Sequence, residues 1–123
     1  MKKNDDLMQR TKEFALRIIR LYSKLPKSTV AQVIGKQILR SATSVGAQYR
    51  EANRAKSRAD FVSKVEGSLQ ELEETKYWLE LLVESGVTKA ELMAELFNEV
   101  EELISIMVTI VKSVKTKPMI AKT

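Results

Sequence analysis

Apolar residues recur every three to four positions along four successive stretches of this chain. No stretch alternates with the period of two that marks a strand. In the first stretch Leu7, Thr11, Phe14, Ala15, Ile18, Leu21, Tyr22 and Leu25 share one face. It closes at Leu25-Pro26, because proline disfavours a helical residue before it. Thr29 and Gln32 have capping-box spacing for a second helix, on which Val30, Ile34, Ile38, Ala42, Val45, Tyr49 and Ala52 continue the stripe. Ser57 caps a third, with Asp60 favourably placed against the helix dipole. Its inner stripe is Phe61, Val65, Leu69, Leu72, Leu79 and Val83, and Gly86 supplies a C-terminal stop. Thr88 and Glu91 form a second capping box, for a fourth helix carrying Leu92, Leu96, Val100, Leu103, Ile104, Met107, Val111 and Val114 up to Lys117-Pro118.

The predicted helices span about 5–25, 29–54, 58–85 and 88–115, with a frayed tail over 116–123. Each is roughly 30–40 Å long at ~1.5 Å per residue. Short turns make neighbours antiparallel, so the fold class is all-α, one domain, an up-down-up-down four-helix bundle.

Two helices are oilier than one protomer needs. Ile106 and Ile110 widen the stripe of the fourth helix, and Leu103 is taken with them. Tyr77, Trp78 and Leu81 point away from Val65, Leu72 and Leu79, level with Met93, Leu96 and Phe97 across an antiparallel pair. Contiguous apolar surface of this kind marks an interface, so Tyr77, Trp78, Leu81, Leu103, Ile106 and Ile110 are expected between subunits of a cyclic homo-oligomer. The alternative is a thick end of the monomer core. Gly35, Ala42 and Gly46 lower the bulk of the second helix, which fits close approach of another backbone.

Composition narrows the chemistry. The 123 residues suit one core, and only two prolines and four glycines interrupt them. Without cysteine there is no disulfide, thiol nucleophile or thiolate metal site. Without histidine the usual general base near neutrality is missing. The glutamates Glu66, Glu71, Glu73, Glu74 and Glu80 resemble a di-iron bundle only superficially, since that site also needs Glu-x-x-His pairs. The glycines are isolated, so no phosphate-cradling loop exists. The sequence therefore predicts no catalytic residues, no metal, no cofactor, no small-molecule substrate and no enzyme. Met1-Lys2-Lys3-Asn4-Asp5-Asp6 leads into no hydrophobic signal region. The longest apolar-rich run, Leu103 to Val111, is about half of what a bilayer requires. A soluble, cytoplasmic protein is expected.

The net charge of +5 is uneven: residues 1–58 hold fourteen Lys/Arg against four Asp/Glu, and residues 59–123 hold seven against twelve. Either the halves attract each other, or the basic half meets a polyanion. Arg40 borders the apolar stripe and is expected to pair with Glu71 or Glu74 in a partly buried bridge. Lys36, Arg50 and Arg54 face outward from the second helix, with Lys56 and Arg58 following at the turn. Cations spaced in this way suit phosphates. Little aromatic surface lies among them for base stacking, so backbone and shape recognition of RNA or a ribonucleoprotein is the expected mode. An acidic protein partner, or a structural ring without nucleic acid, remains open.

The run Arg40-Ser41-Ala42-Thr43-Ser44-Val45-Gly46-Ala47, followed by Arg50-Glu51-Ala52-Asn53-Arg54-Ala55, resembles the four-helix-bundle family of 23S rRNA intervening-sequence proteins. Leu25-Pro26, Phe61, Ser68-Leu69-Gln70-Glu71-Leu72-Glu73-Glu74-Thr75 and Tyr77-Trp78-Leu79-Glu80-Leu81-Leu82 extend the resemblance over roughly residues 7 to 115. Many family members carry asparagine where Gln48 stands. The resemblance implies a bacterial protein whose bundle closes into a ring, typically a pentamer. It also implies a poorly defined biochemical activity and no established catalytic residues. Related accessory proteins of diversity-generating retroelements form similar rings that bind nucleic acid and a reverse transcriptase, so a reverse transcriptase joins the expected partners.

Overall fold

Four helices carry the chain: α1 (Lys3–Ser23), α2 (Thr29–Ala52), α3 (Arg58–Glu84) and α4 (Ala90–Thr116). The computed structural model describes residues 3–116, and no strand occurs among them. The expected tail from 117 onward, with its Lys117-Pro118 stop, lies outside the described residues. Together the helices form a four-helix bundle. Each packs on its successor, and α1 meets α4 only sparingly.

Short polar side chains fix the register of α2 against α3. The hydroxyls of Ser41 and Thr75 are hydrogen-bonded at 2.8 Å, the Ser68 hydroxyl donates to the Val45 carbonyl, and Lys64 reaches Glu51 at 3.2 Å. Later positions on α2 thus meet earlier positions on α3. The same reversal links Lys76 to Glu101 and Lys115 to Glu66 between α3 and α4. Ser41, Ser68 and Thr75 are all buried, and each has a partner, which removes the penalty that an orphaned hydroxyl would carry.

Close approach between α1 and α2 explains two of the glycines. A Cβ added at Gly35 would lie 2.8 Å from Leu25 Cδ1 and 2.9 Å from Tyr22 Cδ1, and one at Gly46 would lie 3.1 Å from Thr11 Oγ1. Their small size serves packing within the protomer, not a contact with another subunit as the sequence suggested. Thr11 is itself fully buried and donates to the Leu7 carbonyl at 2.9 Å.

The helix ends differ from the sequence reading in informative ways. Ser28, not Thr29, caps α2, accepting from the Ala31 amide at 3.3 Å. Gln32 instead ties down the α1–α2 turn, donating to the Pro26 carbonyl at 2.8 Å and accepting from the Tyr22 hydroxyl at 3.0 Å. Ser57 caps α3 as expected, through the Asp60 amide at 3.0 Å. Gly86 ends that helix with φ +84°, a left-handed conformation that a side chain would strain. Thr88 does not cap α4: its Oγ1 is buried and has no hydrogen-bond partner among the described residues. Val30 and Leu92, expected inside, are 53% and 70% exposed. Each stands to one side of the buried face, beside a buried neighbour, Ala31 or Met93. Leu103 corrects the expected interface: it is fully buried in the core with Leu72, Leu79, Val100 and Met107.

Candidate nucleic-acid interface

Helix α2 buries Ile38, Ala42, Val45, Tyr49 and Ala52, which turns the rest of its circumference outward. Lys36 and Arg50 are exposed there, about 21 Å apart along the axis at ~1.5 Å per residue. The helix ends at Ala52, two residues earlier than expected, so Arg54 and Lys56 sit on the following turn, also exposed. Asn53 shapes that turn by donating its side-chain amide to the Tyr49 carbonyl at 3.1 Å. Arg50, Arg54 and Lys56 therefore gather at the C-terminal end of α2, where the helix dipole favours positive charge. None of Lys36, Arg50, Arg54 or Lys56 has an ion pair among the described residues.

Arg58, the fifth cation expected on this surface, is used elsewhere. Its Nη2 donates to the Val114 carbonyl at 3.0 Å, so it caps the end of α4. Sequence spacing carried no sign of this, because the acceptor is a backbone carbonyl 56 positions away.

The remaining bridged cations show where the charge asymmetry goes. Arg10 meets Glu99 at 2.8 Å and also Glu102, and Arg17 reaches Glu95 at 3.8 Å. Hydrogen bonding to Glu99 raises the Arg10 guanidinium above its ordinary range. The Glu101 bond does the same for Lys76. A cation held above its ordinary value contributes its stability in full below that ordinary value, so long as its glutamate partner stays ionised, and loses it as pH climbs through the raised value. These pairs therefore stand throughout the neutral range. Part of the basic half is thus neutralised by the acidic half within the bundle, while Lys36, Arg50, Arg54 and Lys56 are not.

Arg40 spans two carboxylates, Glu74 at 2.6 Å and Glu71 at 3.4 Å, and the Glu74 hydrogen bond raises its guanidinium. The bridge is less buried than expected: the Arg40 side chain is 51% exposed against 16% for Glu71. Solvent screening keeps such a pair near ~0–1 kcal/mol. Arg40→Ala should therefore lower the thermal midpoint only slightly in a calorimetric scan. A loss of about 3 kcal/mol or more would show a bridge that behaves as buried.

The structure does not bring the expected interface residues into one patch. Trp78 follows Glu74 and Thr75 by one turn and shares the α2-facing side of α3; Tyr77, 52% exposed, packs against it with ring centroids 5.1 Å apart. The Trp78 Nε1 is buried and has no partner among the described residues. Ile106 and Ile110 line a separate cleft of about 380 Å³ beside α1, with Leu7, Arg10 and Phe61. Tyr77, Trp78 and Leu81 are thus on one side of the bundle, and Ile106 and Ile110 are on another.

No metal-holding group of acids occurs among the described residues, and no described helix is long and apolar enough to cross a membrane. The family model for 23S rRNA-intervening sequence protein matches residues 3–109. The chain belongs to that family. A crystal structure of a protein with unknown function from the S23 ribosomal protein family of Bacteroides thetaiotaomicron VPI-5482 is 40% identical in sequence. It matches with a TM-score of 0.84, covering 90% of this chain and 99% of that one. No curated protein matches. The Gln48 side chain lies directly over Gly67 of α3, which has no side chain to obstruct it.

Proposed function

We propose that this family member is a non-enzymatic, oligomeric helical bundle that holds RNA or a ribonucleoprotein through the phosphate backbone. The observation that carries this reading is the set Lys36, Arg50, Arg54 and Lys56, exposed and without carboxylate partners on and just beyond α2. Cations left unneutralised along one helix and the turn that follows it are placed to release counterions on meeting phosphates. Tyr77, the large aromatic side chain that is exposed among the described residues, lies on α3 and is far along the bundle from Arg50, Arg54 and Lys56. One exposed ring offers little surface for base stacking, so the phosphate backbone is the expected source of affinity. The reversed registers support an antiparallel up-down-up-down arrangement. Two different apolar sites on different sides of the bundle suit the head-to-tail contact that closes a ring, in which one surface of a subunit meets a different surface of the next. Five copies would repeat the cations around an axis and raise avidity without new contacts per subunit.

A filter-binding titration with structured RNA, single-stranded DNA and polyglutamate tests the function. Retention of RNA, and not of polyglutamate, is expected. Retention of polyglutamate alone would assign the surface to acidic proteins, and retention of neither would leave a ring without this role. Light scattering tests the assembly. A mass of several protomers of 14.0 kDa is expected, and a monomer at micromolar concentration would contradict it.

A further inference from the structure

An open groove of about 980 Å³ lies at the far end of the bundle from Arg50, where α1 finishes and α4 begins. Leu21, Leu92 and Leu96 contribute aliphatic surface to it. Leu92 is 70% exposed, the most exposed large apolar side chain among the described residues. Arg17, Arg20, Lys24 and Lys89 stand around this surface, against Glu91 and Glu95. Arg17 reaches Glu95 at 3.8 Å, while Arg20, Lys24 and Lys89 have no ion pair among the described residues. The buried, unpartnered Thr88 Oγ1 belongs to the same lining. An aliphatic floor rimmed by unpaired cations is complementary to a segment that is apolar on one face and acidic beside it. What separates it from the α2 surface is the leucine floor, from which a phosphate backbone gains nothing.

We propose that this groove binds an amphipathic segment of another protein. Its aliphatic side chains seat against Leu21, Leu92 and Leu96, and its carboxylates meet Arg20, Lys24 and Lys89. The site is separate from the α2 cations and does not depend on RNA binding. Fluorescence anisotropy of the full-length protein tests it, with a labelled helical peptide of about 18 residues, roughly five turns, carrying leucines on one face and glutamates beside them. The same peptide with lysines, and polyglutamate, serve as controls. The leucine–glutamate peptide should bind selectively. Leu92→Asp, and Arg20→Glu with Lys24→Glu, should each weaken it at least about tenfold, while Arg50→Glu with Arg54→Glu should leave it unchanged. Circular dichroism confirms that the variants fold, as expected for side chains this exposed. No binding by roughly 1 mM would overturn the proposal. So would equal binding of either control, or indifference to Leu92→Asp. A fall in light-scattering mass on Leu92→Asp would also overturn it, by showing that a second copy occupies the groove.

Discussion

Reversing Arg50 and Arg54 to glutamate should abolish retention of structured RNA while the bundle stays folded and assembled. Both side chains are exposed and without ion pairs among the described residues, so no internal contact is broken. The cost to stability is limited to placing negative charge at the C-terminal end of α2, about 0.3–1 kcal/mol per residue. The effect on binding is far larger. Two phosphate contacts are lost, and two repulsions appear in the same place. Each lost contact also removes about 0.7 from the magnitude of the single-strand salt slope. Filter binding reads the affinity, and circular dichroism with light scattering reads the fold and mass. Unchanged RNA retention in a folded variant would remove Arg50 and Arg54 from the mechanism.

Leu103→Ala should destabilise the protomer by about 2–5 kcal/mol, the range for emptying a fully buried leucine site. In a domain of this size that lowers the thermal midpoint by roughly 10 °C or more. Ile106→Ala and Ile110→Ala line an open cleft and remove less buried surface, so they should cost less stability and act on the assembly instead. Thermal unfolding and light scattering, run on all three, separate the core from the interface. A Leu103→Ala variant that melts like the parent but falls to a lower mass would return Leu103 to the subunit boundary.

The four helices were legible because each carries a long periodic stripe and because glycine and proline are scarce. Ser57 and Gly86 were legible because each acts locally, on a backbone group within one turn. Other features depend on what lies across the bundle. Ser41, Ser68 and Thr75 occupy stripe positions, but their polarity disguised them until each was seen to bond to the facing helix. Val30 and Leu92 stand to one side of the buried face, beside the buried Ala31 and Met93, an angular difference that a broad stripe does not resolve. Leu103 was assigned to two surfaces by sequence, and burial resolves the conflict. Within the candidate site the sequence picked out the cation stripe, but it could not tell Arg58, drawn to the end of α4, from Lys56, which stays outside. The groove between α1 and α4 left no motif, since its lining comes from two distant segments that are each ordinary alone.

The salt dependence of RNA affinity is the decisive measurement. Four cations per subunit on phosphates, Lys36, Arg50, Arg54 and Lys56, give a slope of log affinity against log salt of roughly −3 per engaged subunit on single strands. A slope of that size, reduced in the Arg50→Glu/Arg54→Glu variant, is the expected result. Affinity that is flat across the salt range, or RNA that is never retained, would contradict a backbone-binding cationic surface.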